Sequence, residues 1–132
     1  MKKLLSTIFA VAIALFAFAQ QPAESAENVP GIQFEKTVHD FGVITKGGDG
    51  TYQFEFTNTG DAPLFITNAT SSCGCTVPAY SKTPIAPGEK GSITVKYDTN
   101  RMGGFHKSVT VSSNAKNASS VVLYIKGEVK QQ

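Results

Sequence analysis

The chain has no tryptophan, and only two of its 132 residues are cysteine. An antibody-type sandwich rests on a buried tryptophan packed against a disulfide that joins its two sheets. Cys73 and Cys75 are separated by a single glycine, so they cannot pin two sheets in that way. No C-x-x-C pair or βαβ pattern points to a thioredoxin-like protein, and no second cysteine pair at motif spacing completes a zinc site. A catalytic triad order, a paired-carboxylate motif and a phosphate-binding loop are also missing, which leaves little case for an enzyme. After residue 19 there is no helical periodicity.

The one long apolar stretch is too short to span a bilayer, which takes about 20 residues. Met1-Lys2-Lys3 is a basic start, Leu4 to Phe16 is apolar except for Ser6 and Thr7, and Ala17-Phe18-Ala19 is a small-x-small cleavage pattern. This is the layout of a secretory signal peptide. Residues 1–19 are therefore expected to be removed before Gln20, releasing an exported protein that is periplasmic or extracellular. No cysteine follows the apolar run to take a lipid, and Gln131-Gln132 end the sequence, so no membrane anchor is expected. Cleavage removes Lys2 and Lys3, reducing twelve basic residues to ten against ten acidic ones. A neutral surface offers no electrostatic reason to bind nucleic acid or anionic lipid.

Residues 20–31 contain Pro22, Pro30, Glu24 and Glu27 without hydrophobic periodicity and are expected to form a flexible leader. A single domain over 32–130 follows. Its clearest strand is Thr51 to Asn58, where Tyr52, Phe54 and Phe56 alternate with Thr51, Gln53, Glu55 and Thr57. A strict period of two marks a half-buried strand. Ile93, Val95 and Tyr97 alternate in the same way, as do Phe105, Val109 and Val111, and Val121, Leu123, Ile125 and Val129. Further strands are expected at Ile32–Phe34, His39–Ile44, Leu64–Ala69 and Thr76–Tyr80, with a loop at Asp98–Gly104. Seven to eight short strands punctuated by turn residues predict an all-β, antiparallel β-sandwich.

Chemistry, if present, is expected at Ser71-Ser72-Cys73-Gly74-Cys75-Thr76. Four alternatives stand for the two thiols. The first is a disulfide, which needs Cα atoms roughly 4.4–6.8 Å apart and hence a turn that Gly74 would permit. Closing so short a loop is worth only about 1.6 kcal/mol, against about 3 for fifteen residues, so such a bridge would be labile rather than structural. The second is a soft-metal site, with copper as cofactor and His39, His106 and Met102 as possible further ligands. The third is thiol–disulfide exchange, and the fourth is a partly buried turn without chemistry. Asp40-Phe41-Gly42 matches a kinase magnesium tripeptide with none of its companions; Phe41 is expected to anchor the core. Asn68-Ala69-Thr70 and Asn117-Ala118-Ser119 match glycosylation sequons, but are expected to be turn and strand polarity.

Several segments together resemble a bacterial family, domain of unknown function 1573. They are His39 to Gly42, Phe56 to Leu64, Ser71 to Thr76, Pro84 to Gly91, Gly104 to Lys107 and Ile125 to Val129. The resemblance implies an exported Ig-like sandwich, similar in architecture to major-sperm-protein and Hydin-type domains, and supplies no activity. By fold analogy alone it suggests a non-enzymatic binding or structural module whose partner is another envelope or secreted protein. The contacts would be made by loops or an exposed strand edge. Neither the specific partner nor the oligomeric state follows from the sequence.

Overall fold

The computed structural model describes residues 28–132. The signal-peptide expectation, like most of the expected leader, lies outside the described residues. Among those described, the chain forms eight strands and no helix: β1 (Ile32–Phe34), β2 (Val38–Thr45), β3 (Thr51–Asn58), β4 (Ile66–Ser71), β5 (Thr76–Tyr80), β6 (Lys90–Tyr97), β7 (Gly103–Ser113) and β8 (Ser120–Lys130). They build two four-stranded sheets, one ordered β1-β3-β6-β5 and the other β2-β8-β7-β4.

The period-two residues do what their spacing dictates. Phe54, Phe56, Ile93, Val95, Val109, Val111, Leu123, Ile125 and Val129 all fall in the core between the sheets. Residues paired across neighbouring strands share a face, and the pairs Phe54↔Ile93 and Val109↔Leu123 set which face is inward in each sheet. Two aromatic stacks then join the sheets. Tyr97 of the first lies on Phe105 of the second with ring centroids 3.8 Å apart, and Tyr52 lies on His39 at 3.6 Å. These contacts tie the two sheets together in a chain that has no tryptophan and whose disulfide lies within one turn.

In each sheet a phenylalanine faces a glycine across the ladder: Phe56 opposite Gly91, and Phe105 opposite Gly127. A β-carbon on Gly91 would stand 2.5 Å from Phe56 Cζ, and one on Gly127 would stand 3.0 Å from Phe105 Cζ. Both rings therefore lie over bare backbone, which a side chain at either glycine would block.

Pairing departs from the antiparallel expectation at β2, which runs parallel to β8. After β1 pairs with β3 in the first sheet, the chain crosses through Glu35-Lys36-Thr37 to the second sheet, so its next strand forms in a different ladder. The ladder is interrupted between Asp40 and Val43. There Gly42 has φ +65°, and its N–H donates to Asp40 Oδ1 at 2.8 Å. Asp40-Phe41-Gly42 is thus a β-bulge on an edge strand, a device that disrupts edge pairing. Phe41 packs against the core as expected, with its ring 6.0 Å from Phe105.

Several boundaries differ from the sequence expectation. Val29, Pro30 and Gly31, within the segment expected to be a leader, accept backbone hydrogen bonds from Asp61, Lys116 and Thr59. Backbone bonds leave no trace in hydrophobic spacing. β4 begins at Ile66 rather than Leu64, since Leu64 and Ile85 exchange backbone hydrogen bonds as an isolated bridge that fastens the proline-rich corner. β7 begins at Gly103, within the segment expected to be a loop.

The His39–Tyr52 stack carries a pH dependence. Burial lowers the His39 pKa below its ordinary value of 6.5, the nearby Lys36 lowers it further, and Asp40 partly offsets both. A histidine held neutral in the fold binds fewer protons than in the unfolded chain, so its contribution to stability is fully present above about pH 6.5. That contribution is lost as pH falls through the lowered folded-state value. Thermal melting should show a drop on acidification through this range, and His39→Phe should flatten that part of the profile. An unchanged profile in the variant would contradict the assignment.

Candidate functional site

The turn between β4 and β5 joins the edge strands of the two sheets. Cys73 and Cys75 form a disulfide across it, with Cα atoms 5.2 Å apart. The Thr76 N–H donates to the Cys73 carbonyl at 3.2 Å, which closes a tight turn. The turn is held at both ends: the Cys73 N–H donates to Ser71 Oγ, the Ser72 N–H donates to the Ser108 carbonyl, and the Asp98 N–H donates to the Cys75 carbonyl. Gly74 is not needed for its backbone freedom. It is absent from the positive-φ glycines, and a β-carbon there would meet nothing within 4 Å. The consequence of glycine is instead that no side chain projects from the middle of the turn.

The two sulfurs differ in surroundings. Cys75 is only 3% exposed, whereas Cys73 is partly buried against the core. The Cys75 N–H lies 3.2 Å from Cys73 Sγ, and Thr76 Oγ1 lies 3.7 Å from Cys75 Sγ. Thr76 is itself buried. Gly74, Cys75 and Val77 form one wall of a groove of about 700 Å³; Gly47 to Thr51 form another, and Lys96 to Asn100 the rest. The glycine-rich turn is fixed there by hydrogen bonds of Thr99 Oγ1 to the Gly48 carbonyl and of the Gly47 N–H to the Thr99 carbonyl.

The structure does not gather the two histidines into one site. His39 is paired with Ile125 and faces inward onto Tyr52, whereas His106 is paired with Lys126 and faces outward beside Tyr124. Met102 is half exposed in the connection between β6 and β7. Among the described residues no three His, Cys, Asp or Glu side chains lie together in a metal-holding group.

Sequence reasoning passed over a second feature, the outer face of the second sheet. Val38 pairs with Tyr124, Val43 with Glu128, and Val122 lies two residues before Tyr124 on the same face. These four account for most of the large hydrophobic side chains exposed among the described residues, the others being Phe65, Val77 and Met102. Among them lies a shallow hollow of about 590 Å³, lined by Val43 and by the backbone of Gly42, Gly104 and Gly127, and rimmed by Asp40, His106, Lys126 and Glu128. The outer face of the first sheet is mostly polar by contrast, with Thr51, Gln53, Glu55, Ser92, Thr94 and Lys96, and a single exposed valine, Val77, beside Lys96. The signal was present in the sequence, because Val121 to Ile125 is apolar in both phases of a strand that needs only one.

Both sequon asparagines bond to backbone. Asn117 Nδ2 donates to the Ile32 carbonyl at 2.8 Å and its Oδ1 accepts from the Ile32 N–H, fastening β1 to the β7–β8 connection. Asn68 Oδ1 accepts from the Ala69 N–H.

Among solved structures, the fold is similar to a Porphyromonas gingivalis W83 protein of unknown function, with a TM-score of 0.70 and 20% identity over 83% of this chain and 51% of that one. It is also similar to the seventh ASH/PapD-like domain of human CEP192, with a TM-score of 0.65 and 7% identity over 80% of this chain and 89% of that domain. The periplasmic chaperone SfaE has a TM-score of 0.52 and 15% identity over 77% of this chain and 58% of its own. At these identities the likeness is one of fold: an Ig-like, PapD-like β-sandwich. The chain spans about half the length of the Porphyromonas protein, and no curated protein matches it. Residues 32–129, nearly the whole span of the two sheets, match a single family, and the chain belongs to it: Protein of unknown function (DUF1573).

Proposed function

We propose that this chain is an exported Ig-like binding module that holds another protein on the outer face of its second sheet, a role that needs no catalysis at that face. The observation that carries this reading is the gathering of Val38, Val43, Val122 and Tyr124 on one face beside the glycine-floored hollow. Exposed apolar groups rimmed by polar residues mark interaction sites, and tyrosine is among the residues that dominate interface energetics. The hollow accepts a partner side chain while Val38, Val122 and Tyr124 cover apolar surface next to it. Export is supported by the signal-like start of the sequence, and the PapD-like architecture adds a fold-level analogy.

Tyr124→Ser tests the reading. Tyr124 is 38% exposed, so the substitution costs some packing and should lower the melting temperature modestly, and binding is compared at a temperature where circular dichroism shows both proteins folded. Capture of the partner from the exported compartment should weaken by about 30-fold or more, the loss expected at a central interface residue. Capture at the wild-type level would move the binding surface elsewhere.

A further inference from the structure

We propose that the Cys73–Cys75 disulfide is a thiol–disulfide exchange centre that passes its oxidation to dithiols of exported proteins, an activity separate from partner capture on the second sheet. Three observations carry it. The bridge closes a loop of one intervening residue, so the chain gains little stability from keeping it closed. Gly74 projects no side chain from the turn, and a β-carbon there would meet nothing within 4 Å. Each sulfur also has a hydrogen-bond donor in place: the Cys75 N–H for Cys73 Sγ and the Thr76 hydroxyl for Cys75 Sγ. A disulfide has no S–H, so in the Thr76 contact the hydroxyl is the donor. Thr76 is 2% exposed, and that sulfur is the partner found for its hydroxyl among the described residues.

A thiolate of the incoming dithiol attacks Cys73 Sγ, the sulfur of the more exposed cysteine. The bond to Cys75 breaks and its electron pair leaves on Cys75 Sγ, which the Thr76 hydroxyl stabilises. The second thiol of the dithiol gives up its proton and attacks the client sulfur of the mixed disulfide. Cys73 Sγ then leaves as a thiolate with the Cys75 N–H before it. The client is oxidised by two electrons to a disulfide and the Cys73/Cys75 pair is reduced by two, the displaced protons passing to water or to the new thiolates. A second disulfide, such as oxidised glutathione, restores the bridge by the reverse sequence.

The test equilibrates the full exported chain in buffers of reduced and oxidised glutathione, followed by thiol alkylation and intact-mass measurement. The pair should pass from fully oxidised to fully reduced within the range these mixtures cover, and the oxidised chain should convert a reduced dithiol peptide to its disulfide one for one. Thr76→Val should shift the equilibrium toward the disulfide by about tenfold or more, the worth of one hydrogen bond to a charged thiolate, while Thr76→Ser stays near wild type. A bridge that survives reduced glutathione alone, or a reduced pair formed without any peptide disulfide, would overturn the proposal. The wild-type measurement decides between these outcomes even if Thr76→Val fails to fold. Equal equilibria for the valine and serine variants, both folded, would remove Thr76 from the mechanism.

Discussion

Asn58→Ala is expected to destabilise the domain by about 3–5 kcal/mol, the result of leaving several buried backbone groups without partners. Asn58 closes β3 and is only 1% exposed. Its Nδ2 donates to the carbonyls of Ala62 and Ile85 at 2.8 and 2.9 Å, and its Oδ1 accepts from the N–H groups of Gly60 and Gly31 at 2.9 and 3.3 Å. One side chain thus ties the turn after β3 to the proline-rich corner on one side and to the start of β1 on the other. Alanine fills none of these positions, and water has little access to replace them. Asn58→Asp should be nearly as damaging, since a carboxylate would face two carbonyls that the amide had served as donor. Denaturant unfolding followed by circular dichroism measures the effect. A loss below about 1 kcal/mol would show that the neighbouring backbone finds other partners.

Phe56→Ala should cost about 3–5 kcal/mol, the usual range for removing a buried phenylalanine ring. Phe56 is 1% exposed, packs against Phe34 with ring centroids 5.4 Å apart, and lies over Gly91. The complementary change is Gly91→Ala, whose β-carbon would stand 2.5 Å from Phe56 Cζ and 3.0 Å from Ile85 Cδ1. Overpacking of this kind costs about 1–3 kcal/mol. The two positions should therefore be coupled. In a Phe56→Leu background, Gly91→Ala should cost much less than in wild type, and a double-mutant cycle reads the difference. Additive effects would mean that the ring does not need the bare backbone opposite it.

Much of this architecture is legible in the chain itself. The alternation of Tyr52, Phe54 and Phe56, and of Ile93, Val95 and Tyr97, places these residues inward because a strand repeats every two residues, and the structure agrees. The Phe41 anchor was readable too, although its reason was not: the bulge depends on Gly42 and on a hydrogen bond from its backbone to Asp40. What spacing does not reveal is pairing between distant segments. The stacking of His39 on Tyr52, the fit of Phe56 over Gly91 and the four hydrogen bonds of Asn58 join residues whose association is fixed only once both sheets form. The same limit applied to the sites. The proximity of Cys73 and Cys75 was plain, but the Thr76 hydroxyl beside the disulfide depends on a turn geometry that spacing alone does not fix. The division of His39 and His106 between two faces depends on the register of β2 and β7 against β8.

The most direct measurement is photo-crosslinking in the exported compartment, with a photoreactive residue at Val122 in one variant and at Gln53 in another. Val122 lies on the apolar outer face of the second sheet, and Gln53 on the polar outer face of the first. A discrete protein adduct is expected from position 122 that is absent at position 53 and is lost when Tyr124→Ser is added. Adducts of equal yield from both positions, or an adduct from position 53 alone, would contradict that expectation.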